Sequence, residues 1–162
     1  MENNLSFVKA EPQDVKEMSA LIHEMATFEK LDGEVTFSLP RLADEYFNKS
    51  APIFTFLKIG KTIVGYMTYF YSFSTFKGHR CLYLEDLYVR PSFRGQGYGR
   101  ACFYQLAEIA TKEGCERIDW ICLSWNKNAQ AFYESLGAKK HDEWLLYRLE
   151  KSDISLLNKE KD

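Results

Sequence analysis

Apolar residues recur along the chain at two spacings, which separate strands from helices. Leu5 to Lys9 reads as a short strand. From Asp14 onward, Val15, Met18, Leu21, Ile22, Met25 and Phe28 recur at helical spacing and predict an amphipathic helix ending near Glu29. Ser38 is placed to cap a second helix, with Pro40 tolerated in its first turn, running to about Lys49. Ile53 to Ile59 and Thr62 to Tyr71 are β-rich runs separated by Gly60-Lys61, a hairpin signal. Leu82 to Val89 is a further strand, stopped by Pro91. Ala101, Phe103, Leu106, Ile109 and Ala110 mark a helix that Gly114 ends. Arg117 to Leu123 reads as a strand, Ala129 to Leu136 as a short helix capped by Asn126 or Asn128 and stopped at Gly137, and Glu143 to Leu149 as a last strand.

The order is therefore β-α-α-β-β-β-α-β-α-β. Early hairpins require antiparallel pairing, whereas a later strand-helix-strand unit joins parallel strands. The expected architecture is α/β: one mixed sheet with helices on its faces, in a single domain over residues 1–150. The polar stretch from Lys151 to Asp162 reads as a tail whose end frays.

Composition narrows the function. Hydrophobic residues are 46% of 162, ample for a core, and no apolar run approaches a membrane span. Twenty-one basic against 23 acidic residues leave a net charge of -2, so neither nucleic acid nor a membrane is an expected partner. The start, Met-Glu-Asn-Asn, has no signal-peptide pattern, and a soluble cytoplasmic protein is expected. Cys81, Cys102, Cys115 and Cys122 form no CxxC pair and read as small apolar residues. His23, His79 and His141 are scattered singly, and no metal is expected.

One segment carries chemistry. Arg94-Gly95-Gln96-Gly97-Tyr98-Gly99 follows the strand Tyr83 to Val89 and opens a helix. It lacks the Lys-Ser or Lys-Thr of a Walker loop, and its third glycine comes one residue early for a dinucleotide fingerprint, with Arg100 in that place. It fits [Gln/Arg]-x-x-Gly-x-[Gly/Ala]. Consecutive amides at a helix start favour an anion, the missing Cβ atoms permit close approach, and Arg94 and Arg100 add charge: a site for a pyrophosphate.

With this turn, the segments Tyr83-Leu84-Glu85-Asp86-Leu87-Tyr88-Val89, Trp125-Asn126, Phe132-Tyr133, Gly137-Ala138 and Trp144 make the chain resemble a GNAT-type N-acetyltransferase. The diamine branch, the spermidine/spermine and thialysine enzymes, is the most similar. Glu29 and Ile63-Val64-Gly65-Tyr66 extend the likeness over nearly the whole chain. The resemblance implies a mostly antiparallel mixed sheet splayed open at its centre, with acetyl-CoA in the gap and its pantetheine on backbone groups of Leu87, Tyr88 and Val89. It implies cofactor contacts from Arg94, Gly95, Gln96, Gly97, Tyr98, Gly99, Arg100, Asn126 and Tyr133, backbone donors near Val89, often at a bulge, and a homodimer with substrate sites near its interface.

An alkyl ammonium must lose a proton before attacking a thioester. Glu85 matches the general base, often acting through water, and Tyr133 the general acid that protonates the CoA thiolate. Strand alternation puts Glu85 and Asp86 on opposite faces, which predicts different sites for the two carboxylates. Glu29, Asp86, Asp142 and Trp144 match positions that hold a cationic amine, and carboxylates with an aromatic face suit such a cation. Asn126 is open to capping its helix, contacting the cofactor, or both. Ser72-Phe73-Ser74-Thr75-Phe76 departs from the polyamine enzymes, which carry an aspartate and a tryptophan there. A diamino acid such as thialysine or lysine is then as well matched as a polyamine. Acetylation of a protein lysine or N-terminus, and a non-catalytic acyl-CoA-binding module, are the competing functions.

Overall fold

The computed structural model describes residues 5–49 and 52–159, in two compact units, Met1–Ile121 and Cys122–Asp162. The first unit holds five strands in sequential order: β1 (Leu5–Lys9), β2 (Ile53–Ile59), β3 (Thr62–Ser74), β4 (His79–Val89) and β5 (Ile118–Asp119). The first three pairings are antiparallel and β4–β5 is parallel, which gives the expected mixed sheet. Gly60, at φ +57°, makes the β2–β3 turn. The β3–β4 hairpin is longer than its apolar runs suggest, because Ser72–Ser74 pair with Cys81–His79.

Two helical segments cover one face. Helix α1 (Val15–Glu29) starts after a reciprocal cap, in which the Glu11 amide donates to Asp14 Oδ2 at 2.9 Å and the Asp14 amide to Glu11 O at 2.9 Å. It ends on Lys30 at φ +61°. Helix α2 (Leu39–Ala43) begins where expected, with Ser38 Oγ accepting from the Arg41 amide at 3.4 Å. It continues as one π-type turn, Asp44–Asn48, closed by the Lys49 amide on Asp44 O at 3.1 Å. Met18, Leu21 and Leu42 bury against Phe54, Phe56, Tyr66 and Tyr88. Tyr66 stacks on Phe54 at 4.6 Å and 5° between planes.

Helix α3 (Tyr98–Lys112) connects β4 to β5, packs on both, and buries Cys102, Phe103, Leu106 and Ala110. Gly65 lies where β3 and β4 approach closely: a Cβ there would sit 2.1 Å from the Tyr88 carbonyl oxygen. Only glycine fits that approach.

β5 is shorter than its β-rich sequence. The expected strand Arg117–Leu123 pairs only through Ile118 and Asp119, with Leu82 and Tyr83. Among the described residues, β4 from Leu84 onward pairs with β3 alone, so the sheet opens along that edge. The cause lies in β4, which carries a bulge immediately past the last β5 pair and bends there.

In the second unit, helix α4 (Lys127–Ser135) is capped by Asn126, whose Oδ1 accepts from the Ala129 amide at 3.1 Å. Gly137 at φ +87° ends it, with the Ala138 amide on Tyr133 O at 3.2 Å. The expected last strand, Glu143–Leu149, forms no ladder among the described residues. Its apolar run Trp144-Leu145-Leu146-Tyr147 supplies β propensity, but a strand also needs a partner edge. The polar tail holds a helix, α5 (Lys151–Lys159), preceded by a cap in which Asp153 Oδ2 accepts from the Glu150 amide at 2.9 Å. Residues 160–162 of that tail lie outside the described residues.

Candidate active site

The open edge of β4 begins at two carboxylates. Thr68 pairs with Asp86 and Tyr69 with Leu84, so one step on β3 spans two on β4 and Glu85 is the extra residue. Alternation alone predicts opposite faces for Glu85 and Asp86; the bulge overturns this. Asp86, opposite Thr68, shares the face of Tyr66 and Tyr88, the face under α1 and α2. Beyond the bulge Tyr83 is opposite Phe70, which shares Thr68's face, and Glu85 lies two residues from Tyr83. Both carboxylates thus face the same side. The ladder is regular from Asp86 to Val89, so the bulge lies at Glu85 and not beside Val89.

A polar cluster surrounds Asp86 beneath the aromatic core. The Tyr66 hydroxyl lies 3.2 Å from Asp86 Oδ2, to which it donates, and 3.1 Å from Met25 Sδ. Tyr46, aimed at the sheet from the π-type turn, shares a hydrogen bond with Thr68 Oγ1 at 3.1 Å. Burial pushes the Asp86 carboxyl up to about 7, with the Glu85 and Glu29 charges adding and the Tyr66 bond opposing. Burial also raises Glu29, at the end of α1, and raises Tyr46 to about 12. Glu85 is exposed. The result is an acidic pocket wall with one solvent-facing and one part-buried carboxyl side by side, suited to a cation that gives up a proton.

At the other end of the open edge lies the glycine turn. Gly95 at φ +75° and Gly97 at φ +83° adopt left-handed conformations, and Gly97 is the N-cap of α3 without a side-chain bond of its own. The first-turn amides therefore point out of a long helix toward a turn whose Gly95 and Gly97 carry no Cβ. These residues fit a diphosphate. Tyr98 is buried and its hydroxyl donates to Gln96 Oε1 at 3.1 Å, so its side chain braces the turn. Arg94 packs back: its Nε donates to Val89 O at 2.7 Å and its guanidinium lies 4.1 Å over the Phe28 ring. Arg90 anchors the strand end, bidentate to Glu24 at 2.9 and 2.7 Å and bound to Ile63 O at 2.7 Å.

Gly99 and Arg100 lie in the first turn of α3 and Leu87, Tyr88 and Val89 on β4, whereas Asn126, Tyr133, Asp142 and Trp144 lie in the second unit. Tyr133 is part-buried in α4, its ring 5.5 Å from Phe132, and Asn126 caps that helix. Asp142 is exposed and pairs with Lys140 Nζ at 2.7 Å; Trp144 is exposed.

The acetyltransferase (GNAT) family profile matches residues 18–138. The chain belongs to this family. It is an N-acetyltransferase, and acetyl-CoA is the co-substrate of GNAT enzymes. A thialysine N-epsilon-acetyltransferase of Caenorhabditis elegans is 34% identical over 155 residues, covering 94% of this chain and 96% of the relative. An L-ornithine N5-acetyltransferase of Arabidopsis thaliana is 28% identical over 196 residues, covering 93% and 86%. A solved integron cassette protein of V. cholerae has a TM-score of 0.80 at 26% identity, covering 96% of this chain and 98% of that one.

Three residues that shape this GNAT site escaped the sequence reading as site residues: Tyr46, Tyr66 and Thr68. Tyr66 had a signal in Gly65 before it, since a glycine inside a strand marks close backbone approach. Tyr46 and Thr68 had none, because nothing local shows that the π-type turn meets the middle of β3.

Proposed function

We propose that the enzyme transfers the acetyl group of acetyl-CoA to the side-chain amine of a small diamino acid, with a polyamine as the second candidate. The observation that carries this reading is the shared face of Glu85 and Asp86, with Glu29 close enough to act on Asp86, on the open edge of β4. Three carboxyl groups suit a small ammonium. The names of the relatives from C. elegans and A. thaliana favour a diamino acid, as does the absence of an aspartate from Ser72–Phe76.

The chain's residues then act in sequence. The amides of Gly95 to Gly99 and the α3 dipole hold the diphosphate, and backbone groups of Leu87 to Val89 align the pantetheine. Glu85, the solvent-facing carboxylate, takes the proton leaving the ammonium. The freed nitrogen lone pair attacks the thioester carbonyl carbon, and unpaired amides along β4 receive the charge developing on oxygen. As the carbon–sulfur bond breaks, Tyr133 gives its proton to the sulfur, and the second proton that the nitrogen sheds as the amide forms passes through water to restore Tyr133. Asp86, Asp142 and Trp144 orient the cation.

The test is a panel of free amines (thialysine, lysine, ornithine, spermidine, spermine) and lysine peptides, with acetyl-CoA and free thiol as readout. The expected result is turnover concentrated on diamino acids. Turnover confined to peptides would overturn the substrate class, and acetyl-CoA binding without thiol release on any amine would favour a non-catalytic module.

A further inference from the structure

Two carboxyls on one face in unlike surroundings raise the question of which one keeps the proton. We infer, resting on the acetyl transfer proposed above, that Asp86 is the resting place of the ammonium's proton, reached through Glu85, and that Tyr66 is the residue that positions Asp86 for it. The geometry supplies three reasons. The bulge brings the two carboxyls to one side of β4, so a proton accepted at the exposed Glu85 has a second carboxyl next to it. Asp86 is fixed at one oxygen by the Tyr66 hydroxyl at 3.2 Å, which leaves the other to receive a proton. Tyr66 is itself immobile: it is 0% exposed and stacked on Phe54.

The groups acting on Asp86 come from every element around it. Glu29 stands at the end of α1, Tyr66 on β3 and Glu85 on β4 itself, while Tyr46 from the π-type turn interacts with it at longer range. Burial and the two neighbouring carboxylates favour the protonated form, and only the Tyr66 donor opposes it. A proton acceptor works best when its affinity lies near the working pH, and the value of about 7 meets that condition. The step balances. The ammonium gives its proton to the Glu85 carboxylate, Glu85 passes it to the Asp86 carboxylate, and Asp86 releases it to solvent after acetyl transfer, one proton per turnover.

The experiment is the pH profile of kcat/KM for the wild type, Tyr66→Phe, Asp86→Asn and Glu85→Gln on the best amine of the panel. Asp86 must be ionised to accept, so wild-type activity rises with pH through about 7. The amine's own ionisation, near 10, is well separated. Tyr66→Phe removes the donor that favours the ionised form, and its limb moves up by about one pH unit, the tenfold change in proton affinity worth one charge-assisted hydrogen bond. Glu85→Gln removes a neighbouring negative charge, so the limb of its residual activity moves down. Asp86→Asn loses the limb near 7. A limb that stays at the wild-type position in Tyr66→Phe or persists in Asp86→Asn overturns the inference. Should Tyr66→Phe fail to fold, Asp86→Asn decides alone. Failure of the acetyl transfer itself is separate: the wild type would turn over no amine, and the inference would fall with it.

Discussion

The two ends of β4's open edge are built for opposite charges by opposite means. At the Arg94–Gly99 end, main-chain amides and positive-φ glycines suit an anion, and each needed element is a residue type at a local spacing. At the Glu85–Asp86 end, two carboxyls suit a cation because one extra residue in the ladder turns them to the same face. The first kind of site is written in composition and order. The second is written in register, which depends on the partner strand. The glycine turn is therefore robust to side-chain changes that spare its glycines and the bracing Tyr98, while the acidic end is sensitive to anything that shifts β3 against β4.

Removing a proton-transfer group while reading cofactor binding separates chemistry from binding. Glu85→Gln and Tyr133→Phe should each lower kcat on the order of 100-fold while leaving the calorimetric affinity for acetyl-CoA unchanged. Equal losses in affinity and turnover would mean that the acidic end and the cofactor turn are one site. At the other end, Gly97→Ala forces a side chain into φ +83°. With about 1–2 kcal/mol of strain for a left-handed non-glycine residue, CoA affinity should fall about tenfold, measured by calorimetry, with the acid limb of the pH profile unmoved.

Much of this layout was legible in the chain. The Gly60-Lys61 hairpin, the caps at Ser38 and Asn126, and the stop at Gly137 follow from local backbone chemistry, and the structure has each. The failures share a cause. Alternation puts Glu85 and Asp86 on opposite faces because it assumes an unbroken ladder, and no side chain announces the bulge. Glu143–Leu149 is apolar enough for a strand, yet lacks a partner among the described residues. Lys151–Asp162 reads as a polar tail, yet Lys151–Lys159 forms a helix and Asp153 caps the backbone ahead of it. Local preference is readable in each case, while pairing across a distance is not.

The smallest expected effect concerns stability at the acidic end. Asp86 holds its proton more tightly folded than unfolded, so the folded state binds more protons between its ordinary value near 4 and about 7. Stability therefore falls as pH rises across that window. Asp86→Asn removes the penalty and should raise the Tm at pH 8 by a few degrees, corresponding to about 1–3 kcal/mol, with little change at pH 4. An equal change at both pH values would mean that the carboxyl is not under strain when ionised.

Gly65 has a practical consequence. The Tyr88 carbonyl oxygen would stand 2.1 Å from even a methyl group at that position. A mutagenesis library meant to widen the range of acceptors should leave codon 65 untouched and spend its diversity on Glu29, Asp142 and Trp144, whose side chains can change without prying two hydrogen-bonded strands apart.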